Sequence, residues 1–181
     1  RDILFIERNL DFLKSGGRMA VVLPQGRFNN NSDKHIRDYI TEHCRILAVV
    51  GLHGNVFKPH TGTKTSVLLV QKWDDKLCPK VEDYPIFFAT MQESSKDNSG
   101  EKIYVRKKDF PKSAEKTKNN VVNDPPAHYE ETPNNLDEFL LDTHGHLIIK
   151  HDLFNHDGLT KDGIAEAFAE FAKKEKLSFF L

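Results

Sequence analysis

The chain's strongest candidate for ligand chemistry is the run Thr61, Gly62, Thr63, Lys64 and Thr65. A glycine lets backbone amides face outward, threonines add hydroxyl groups, and a lysine adds a positive charge suited to a phosphate. These residue types therefore suit an anion-binding loop. They suit equally a tight return between two strands in which Lys64 is solvated, and the sequence leaves both interpretations open.

A second polar group, Gln25, Gly26 and Arg27, comes directly after Pro24, where a predicted strand ends. The carboxyl ends of strands line the ligand crevice in open α/β sheets. Gln25 and Arg27 are therefore candidate binding residues, and Arg27 is suited to contact a nucleic-acid backbone. The commoner alternative for Arg27 is a surface arginine that has no partner.

Nine histidines and two cysteines raise the question of a metal site. The densest cluster lies in a turn-rich stretch and contains Asp142, His144, His146, His151, Asp152 and His156. Catalytic zinc needs three rigidly held ligands and an open fourth position, whereas this composition is typical of a solvated surface. Cys44 and Cys78 fit no metal or redox spacing, which favours two reduced thiols. We therefore predict no metal site.

Hydrophobic periodicity predicts the elements that position these residues. Residues 3–14 have apolar side chains at helical spacing, and Gly16 and Gly17 can supply the left-handed residue that ends a helix. The apolar positions are Ile3, Ile6, Leu10 and Leu13, with Phe5 and Phe12 widening the same face. Residues 19–23 are an unbroken apolar run closed by Pro24, which predicts a strand buried on both faces inside a parallel sheet.

A second helix and two further strands complete an α/β order. Ser32 is the predicted cap of this helix, with Asp33 in the first turn. The helix would bury one face, made of Ile36, Tyr39 and Ile40. Strands are predicted over residues 46–50 and 65–70. The link between them is short and rich in turn residues, so we expect the chain to return antiparallel.

The remainder of the chain is more polar. Residues 92–135 are rich in Lys, Asn, Ser, Asp and Pro, which predicts long, partly mobile loops around one short strand near residues 103–105. The lysine-rich residues 106–118 are interleaved with acids, which favours a solvated loop. Short strands are also predicted over residues 85–89 and 147–149. A terminal helix with an aromatic face is marked by Ile164, Phe168, Phe171 and Ala172.

The segment from Gly16 to Trp73 reads GGRMAVVLPQGRF, then a helix, then ILAVVGLHGNVFKPHTGTKTSVLLVQKW. It resembles the second half of the methyltransferase domain in the modification subunits of type I restriction–modification systems, which are adenine-N6 DNA methyltransferases. In that family a GGR…VLP strand precedes a helix, a strand ending in a GL…VF turn, and a TG-K-T loop leading into the last strand. Residues 85–89 and 151–180 resemble the tail of the family less closely.

The resemblance implies a Rossmann-like, S-adenosylmethionine-dependent sheet in which the last strand is antiparallel between its neighbours. It also implies that the loop at residues 61–65 lies near the target-base pocket on the DNA side. The predicted fold class is therefore α/β, the C-terminal half of such a sheet with a loop-rich and helical C-terminal extension. We expect residues 1–91 to belong to the methyltransferase domain, residues 92–135 to be a polar loop region and residues 136–181 to be the extension.

The catalytic motif of this family is an Asn or Asp, two prolines, and an aromatic residue that stacks on a flipped adenine. Residues 123–127 read NDPPA, but Ala127 cannot stack on a base, so we interpret them as a rigid turn. Residues 51–54 read GLHG and lack the third glycine and the following helix of a nucleotide-binding turn. We therefore predict no catalytic and no cofactor-binding residue here. The chain begins at Arg1 and not at Met, which we interpret as a cut inside a longer protein. Because both motifs precede this segment in the family, we expect them upstream of Arg1.

The resemblance implies that the parent protein transfers a methyl group from S-adenosylmethionine to adenine N6 in DNA, and that this chain alone is inactive. A specificity subunit and a restriction subunit are the implied partners. The formal net charge of -1 weighs against autonomous DNA binding. Phe168 and Phe171 are candidate contacts to those subunits. Alternatively these aromatics, with Phe179, Phe180 and Leu181, close the chain's own core.

The chain has no signal pattern and no apolar run near the roughly 18 residues of a membrane span. We therefore expect no membrane partner and a cytoplasmic location in a bacterium or archaeon.

Two rival functions stay open. One is a non-catalytic DNA- or partner-binding module derived from the same fold. The other is a different S-adenosylmethionine enzyme acting on RNA or small molecules, against which the TG-K-T loop argues.

Overall fold

A computed structural model describes residues 2–109, 138–155 and 163–177. The helices are α1 (Asp2–Phe12), α2 (Gly26–Asn29), α3 (Lys34–His43) and α4 (Ile164–Lys174). The strands are β1 (Arg18–Pro24), β2 (Cys44–Gly51), β3 (Thr65–Lys72) and β4 (Phe87–Thr90), and single 3-10 turns cover Asn31–Asp33 and Lys107–Asp109. None of the helices in the described ranges has the length and apolar character needed to cross a bilayer.

The four strands form one sheet in the order β1, β3, β2, β4. β3 runs antiparallel to both β1 and β2, with Leu68 paired to Val21 on one side and to Val49 on the other. β2 and β4 are parallel, and the register of β2 against β3 shifts between Ile46 and Ala48. The predicted antiparallel return from β2 to β3 is confirmed, and it places β3 between β1 and β2.

Connection lengths explain this order. The link at residues 52–64 contains no helix, and a parallel connection needs a crossover of a dozen or more residues that is usually helical. The chain therefore turns back along β2. The connection from β1 to β2 contains α3, which crosses one face of the sheet and leaves these two strands parallel. The carboxyl ends of β1 and β2 consequently lie on either side of the start of β3.

One face of the sheet is covered by α1 and α3. The buried cluster on this face comprises Ile6, Leu10, Leu23, Ile36, Ile40, Cys44, Leu68 and Val70. The predicted helical positions Ile6 and Leu10 are 1% and 2% exposed, which confirms the periodicity of α1. The ammonium group of Lys72 donates to the carbonyl oxygens of Leu10 and Leu13, at 2.8 and 3.0 Å, and so satisfies the end of that helix.

The expectation that Phe5 and Phe12 widen the buried face of α1 is wrong, because they are 68% and 77% exposed. Successive residues of a helix are about 100° apart. Phe5 lies one residue before Ile6, and Phe12 lies one residue before Leu13. Both rings therefore project beside the narrow stripe that contacts the sheet.

The other face is covered by α4. Phe168 and Phe171 pack on Phe87 of β4 with ring centroids 5.5 and 5.6 Å apart, and they surround a buried cluster of Leu47, Ala172 and Leu177. These two aromatics therefore help to close the chain's own core, as the alternative predicted, and their contact with partner subunits stays a prediction. Phe179, Phe180 and Leu181 lie outside the described residues.

The prediction that β1 is buried on both faces is also wrong. On the face that α1 covers, Leu23 is buried, but Ala20 and Val22 on the opposite face are exposed, Val22 by 46%. The reason is the position of α4, which packs over Leu47 of β2 and Phe87 of β4. An apolar run alone does not tell which neighbour covers each face.

The start of the second helix differs from the expectation. α3 begins at Lys34, and Ser32 lies in the 3-10 turn before it and not at the capping position. The residue at the cap is Asp33, which makes no side-chain capping bond. Its carboxylate instead accepts hydrogen bonds from Arg27.

The predicted strand over residues 85–89 is confirmed as β4. The predicted strands at residues 103–105 and 147–149 are reduced to isolated bridges, in which Tyr104 pairs with Ile149 and Leu147 pairs with Leu141. Only residues 92–109 of the polar loop region are described, and they include a compact turn at residues 94–101.

Candidate functional site

A cleft of about 680 Å³ opens at one edge of the sheet. The parallel strands β1, β2 and β4 all end at this edge, and β3 begins there. Its polar lining includes Gln25, His53, Asn55, Lys64, Thr65 and Gln92. The carboxyl edge of an α/β sheet is the usual position of a ligand crevice, so the cleft is the candidate functional site.

Backbone hydrogen bonds hold the walls of the cleft together. The amide of Gln25 donates to the carbonyl oxygen of Lys64 at 2.9 Å, and the amide of Met91 donates to that of Gly51 at 2.8 Å. Gly51 allows β2 and β4 to approach closely here, because a Cβ at this position would lie 3.3 Å from the Thr90 hydroxyl. The cleft is thus built on paired strands and not on isolated loops.

The side chains in the cleft suit hydrogen bonding and stacking. Amides and hydroxyls predominate, Lys64 adds a positive charge, and none of the described residues that line the cleft is acidic. Two aromatic residues, Phe28 and Phe88, also line it, and Phe88 is 70% exposed. Exposed rings stack on nucleobases, and amides pair with base edges. The arrangement is therefore suited to a planar polar ligand that carries negative charge.

Three of the predicted site residues, Gln25, Lys64 and Thr65, line this cleft. The Thr65 hydroxyl is buried and makes no hydrogen bond within the part of the chain that the structure describes. Thr61, Gly62 and Thr63 lie on the exposed part of the same loop and are not in the lining. The Thr61 hydroxyl donates to that of Thr63 at 3.0 Å and accepts the Thr63 amide at 3.1 Å, which shapes the turn.

Arg27 lies away from the large cleft. Its guanidinium forms an ion pair with Asp33, with a nitrogen–oxygen distance of 3.0 Å. It borders a separate apolar cavity of about 70 Å³ next to Leu23 and Ile36. The alternative of a surface arginine without a partner is therefore wrong. The suggested contact of Arg27 with a nucleic-acid backbone stays a prediction.

Several lining residues were missed from sequence, notably His53, Asn55, Ser66, Thr90 and Gln92. The rule that strand ends line the crevice identifies Thr90, the last residue of β4. The others lie in loops or at the start of an antiparallel strand, where that rule does not apply. Gln92 is positioned through its backbone amide, which donates to the Asp152 carboxylate at 2.7 Å.

The link at residues 52–64, here called the return loop, is held by a second segment at residues 94–101, here called the brace. The Asn55 side-chain amide donates to the Lys96 carbonyl oxygen and to the Asn98 side chain, both at 3.2 Å. The ammonium of Lys58 donates to the Asn98 carbonyl oxygen at 3.1 Å. The ammonium of Lys96 donates back to the Lys58 carbonyl oxygen at 2.8 Å. The two segments are therefore joined by reciprocal contacts.

The brace has its own internal order. One carboxylate oxygen of Asp97 accepts the backbone amides of Ser99, Gly100 and Glu101 at 2.8, 2.8 and 2.9 Å. Gly100 has a φ of +100°, and a Cβ there would lie 2.6 Å from the backbone nitrogen of Pro59. Only glycine fits this contact, so Gly100 lets the brace press directly against the return loop.

The histidine-rich stretch forms a turn. The carboxylate of Asp142 accepts the amides of His144 and His146 at 2.8 Å, and lies 3.3 Å from the His146 ring nitrogen. Burial raises the pKa of Asp142, but these hydrogen bonds outweigh it and lower the pKa overall. No three His, Cys, Asp or Glu side chains within residues 2–109, 138–155 and 163–177 are grouped to hold a metal. His156 and the NDPPA run at residues 123–127 lie outside the described residues.

Cys44 and Cys78 are free thiols, and both are buried. Burial raises the pKa of Cys44 to about 11, and burial also raises the pKa of Cys78. A nucleophilic cysteine needs a lowered pKa and access to solvent. These two residues therefore have a packing role.

The chain matches the family described as N-6 DNA Methylase over residues 1–139, which is more than half of its length. This match includes the whole of α1 to β4 and therefore every wall of the cleft. The chain belongs to the N-6 DNA methylase family.

The resemblance to type I modification subunits is confirmed by a curated relative. The chain is 39% identical over 70 residues to the type I restriction enzyme EcoEI methylase subunit of Escherichia coli. That match covers 38% of this chain and 14% of the relative, so the chain corresponds to a small part of that protein.

Solved structures give looser matches. A modification subunit attributed to a type I restriction enzyme of Vibrio vulnificus YJ016 is 19% identical, with a TM-score of 0.39, covering 56% of this chain and 20% of that chain. A candidate class I S-adenosylmethionine-dependent methyltransferase of Listeria monocytogenes is 24% identical, with a TM-score of 0.42, covering 49% and 26%. The α/β, Rossmann-like assignment rests on the strand order and the family match and not on these superpositions.

The described residues do not by themselves fit the S-adenosylmethionine that the family implies. A Rossmann-type cofactor site needs a glycine-rich turn between a strand and a helix, and an acidic side chain for the ribose hydroxyls. Gly51 leads from β2 into the return loop and not into a helix. The described lining of the cleft contains no carboxylate.

Proposed function

We propose that this chain forms the C-terminal half of the methyltransferase domain of a type I modification subunit. The parent protein transfers a methyl group from S-adenosylmethionine to adenine N6 at specific DNA sites. The observation that carries this proposal is the family match over residues 1–139, which spans the whole cleft-bearing sheet.

In this proposal the cleft is the DNA side of the site, next to the target base. The amide of Gln25 and the hydroxyl of Thr65 have the donors and acceptors that read a base edge. Lys64 at the mouth is suited to a phosphate, and the exposed ring of Phe88 is suited to stack on a base. These groups bind and orient the substrate, while the cofactor and the catalytic motif belong to the rest of the parent protein.

The same proposal makes the isolated chain inactive. The described cleft has neither the glycine-rich turn nor the acidic residue that the cofactor requires, and a net charge of -1 gives little general attraction to DNA. A specificity subunit that reads the DNA sequence supplies the missing affinity, and a restriction subunit completes the assembly.

The test is a methyl-transfer assay on the complete open reading frame that contains this chain, produced with the proteins encoded beside it. Labelled S-adenosylmethionine and duplex DNA are supplied, and the modified nucleosides are identified after digestion. N6-methyladenine is expected, and only when the specificity subunit is present. Methylated RNA or methylated small molecules would overturn the substrate assignment. DNA binding without any transfer would favour the non-catalytic module instead.

Two further measurements locate the function in this chain. Calorimetry with the 181 residues alone is expected to show no S-adenosylmethionine binding, and micromolar binding would contradict the proposal. In the complete protein, Thr65→Val replaces the cleft hydroxyl with a methyl group of similar size and is expected to slow methyl transfer. Thr41→Val is the matched control, because Thr41 is an exposed residue of α3 whose hydroxyl bonds the carbonyl oxygens of Arg37 and Asp38 within the same helix.

A further inference from the structure

Two lysines at the junction of the return loop and the brace are held by neutral acceptors. The ammonium of Lys58 bonds the Asn98 carbonyl oxygen at 3.1 Å, and the ammonium of Lys96 bonds the Lys58 carbonyl oxygen at 2.8 Å. Neither ammonium pairs with a carboxylate among the residues that the structure describes. A carbonyl oxygen fixes an ammonium without cancelling its charge, so both positive charges are oriented and remain available to an anion.

This junction lies at the rim of the cleft. Asn55 lines the cleft and also donates to the Lys96 carbonyl oxygen. The Lys58 side chain passes beside the exposed part of the return loop, since a Cβ at Gly62 would lie 3.7 Å from the Lys58 Cε. Lys64, at the end of the return loop, packs back on the start of that loop, with its Cγ 3.8 Å from a Cβ at Gly54. Two lysines of the return loop, Lys58 and Lys64, and Lys96 of the brace therefore lie next to the lining of the cleft.

Three acidic side chains, Glu93, Asp97 and Glu101, lie near this junction, and among the described residues none of them forms an ion pair with Lys58 or Lys96. One carboxylate oxygen of Asp97 is used by three backbone amides within the brace. Glu93 pairs with Lys150 at 2.8 Å, and the exposed Glu101 is joined to the Asp97 amide through its backbone carbonyl oxygen at 2.9 Å. Two fixed ammonium groups with several free N–H donors form a suitable site for the oxygens of a phosphodiester.

We propose that Lys58 and Lys96 form a phosphate-binding pair on the rim of the cleft, which holds the DNA backbone beside the base that enters the cleft. This inference rests on the proposed function and adds backbone contacts that no motif in the sequence marked. Contacts of this kind set the register of the protein on the duplex and carry no sequence information directly.

The test uses the complete protein with its specificity subunit and measures DNA affinity by fluorescence anisotropy over a range of salt concentrations. Lys58→Gln and Lys96→Gln remove the charge and leave a neutral amide donor on a side chain that is one bond shorter. Each is expected to reduce the slope of log affinity against log salt by about 0.9, the value for one phosphate contact. Preference between cognate and non-cognate DNA should be unchanged, and Lys58→Arg and Lys96→Arg should restore the slope.

The control is Lys14→Gln, because Lys14 is exposed near the start of β1, at the opposite edge of the sheet. Its slope should equal that of the wild type. Unchanged slopes in the two cleft-rim variants would overturn the phosphate pair while leaving the methyltransferase assignment intact. If the wild-type complex neither binds nor methylates DNA, the proposed function fails and this inference fails with it.

Discussion

Arg27 and Asp33 form an ion pair just beyond β1, with one guanidinium nitrogen 3.0 and 3.2 Å from the two carboxylate oxygens. The Asp33 side chain is 8% exposed and that of Arg27 is 31% exposed, so the pair is largely removed from water. Arg37 strengthens the same turn by donating to the carbonyl oxygens of Arg27 and Asn30 at 3.3 and 2.8 Å. These contacts hold the segment that follows Gln25 at the wall of the cleft.

Replacing Arg27 by leucine should lower the free energy of unfolding by about 2 kcal/mol, because the variant leaves a buried carboxylate without its charged donor. Urea unfolding followed by circular dichroism measures this loss. In DNA-binding experiments the same variant should keep the wild-type salt slope, since the guanidinium is engaged within the protein. A reduced slope would support the alternative that Arg27 contacts a phosphate.

Lys34→Leu serves as the control for this loss. Lys34 pairs with Asp38 at 2.6 Å, but the two side chains are 72% and 60% exposed. Exposed pairs of this kind contribute about 0.5 kcal/mol or less. A loss as large as that of the Arg27 variant would show that burial of Asp33 is not what distinguishes the two pairs.

The brace should lose its contact with the return loop in the Gly100→Ala variant. The added Cβ would lie 2.6 Å from the Pro59 nitrogen, and a backbone atom cannot yield as a flexible side chain can. Hydrogen exchange at the amides of residues 53–64 is therefore expected to accelerate. Gly145→Ala is the matched control, because Gly145 also has a positive φ, of +83°, but has nothing within 4 Å of its Cβ position. Equal acceleration in both variants would mean that backbone strain alone causes the effect.

Local patterns in the sequence predicted much of the sheet. The apolar runs located β1, β2 and β3, and the short link predicted the antiparallel return that the structure contains. The helical spacing of Ile6 and Leu10 predicted the buried stripe of α1. These features depend on neighbours within one element or on the length of one connection, so periodicity and loop length suffice to predict them.

Features that depend on distant parts of the chain were not predicted. Asn55 meets Lys96 across 41 positions, and no local pattern indicates that contact. The exposure of Val22 and the burial of Phe168 both depend on where α4 packs, which the composition of each element does not determine. For the same reason the candidate site was recognised only in part: the strand-end rule identified Gln25, while His53 and Asn55 required the folded return loop.

The aromatic face of α4 should be a determinant of stability. Phe168→Ala removes a half-buried ring from the contact with Phe87, and about 2 kcal/mol of unfolding free energy should be lost, somewhat less than for a fully buried phenylalanine. Phe5→Ala is the control, because that ring is 68% exposed and alanine favours a helix, so a change within about 0.5 kcal/mol is expected. If thermal melts show no loss for Phe168→Ala, the packing of α4 on the sheet is contradicted.

The two thiols should be protected in the folded protein and should respond to pH in a defined direction. Because burial raises the pKa of Cys44 to about 11, the native thiol stays protonated at pH values where an unfolded thiol, near 9.0, already ionises. Rising pH therefore favours the unfolded state, and this contribution to stability is present below about 9.0 and is lost as the pH approaches 11.

At pH values below 9.0, Ellman's reagent should react slowly with native protein and rapidly with both cysteines in guanidinium. Cys78→Ser assigns the remaining signal to Cys44, and fast reaction of that thiol in the native state would contradict its burial.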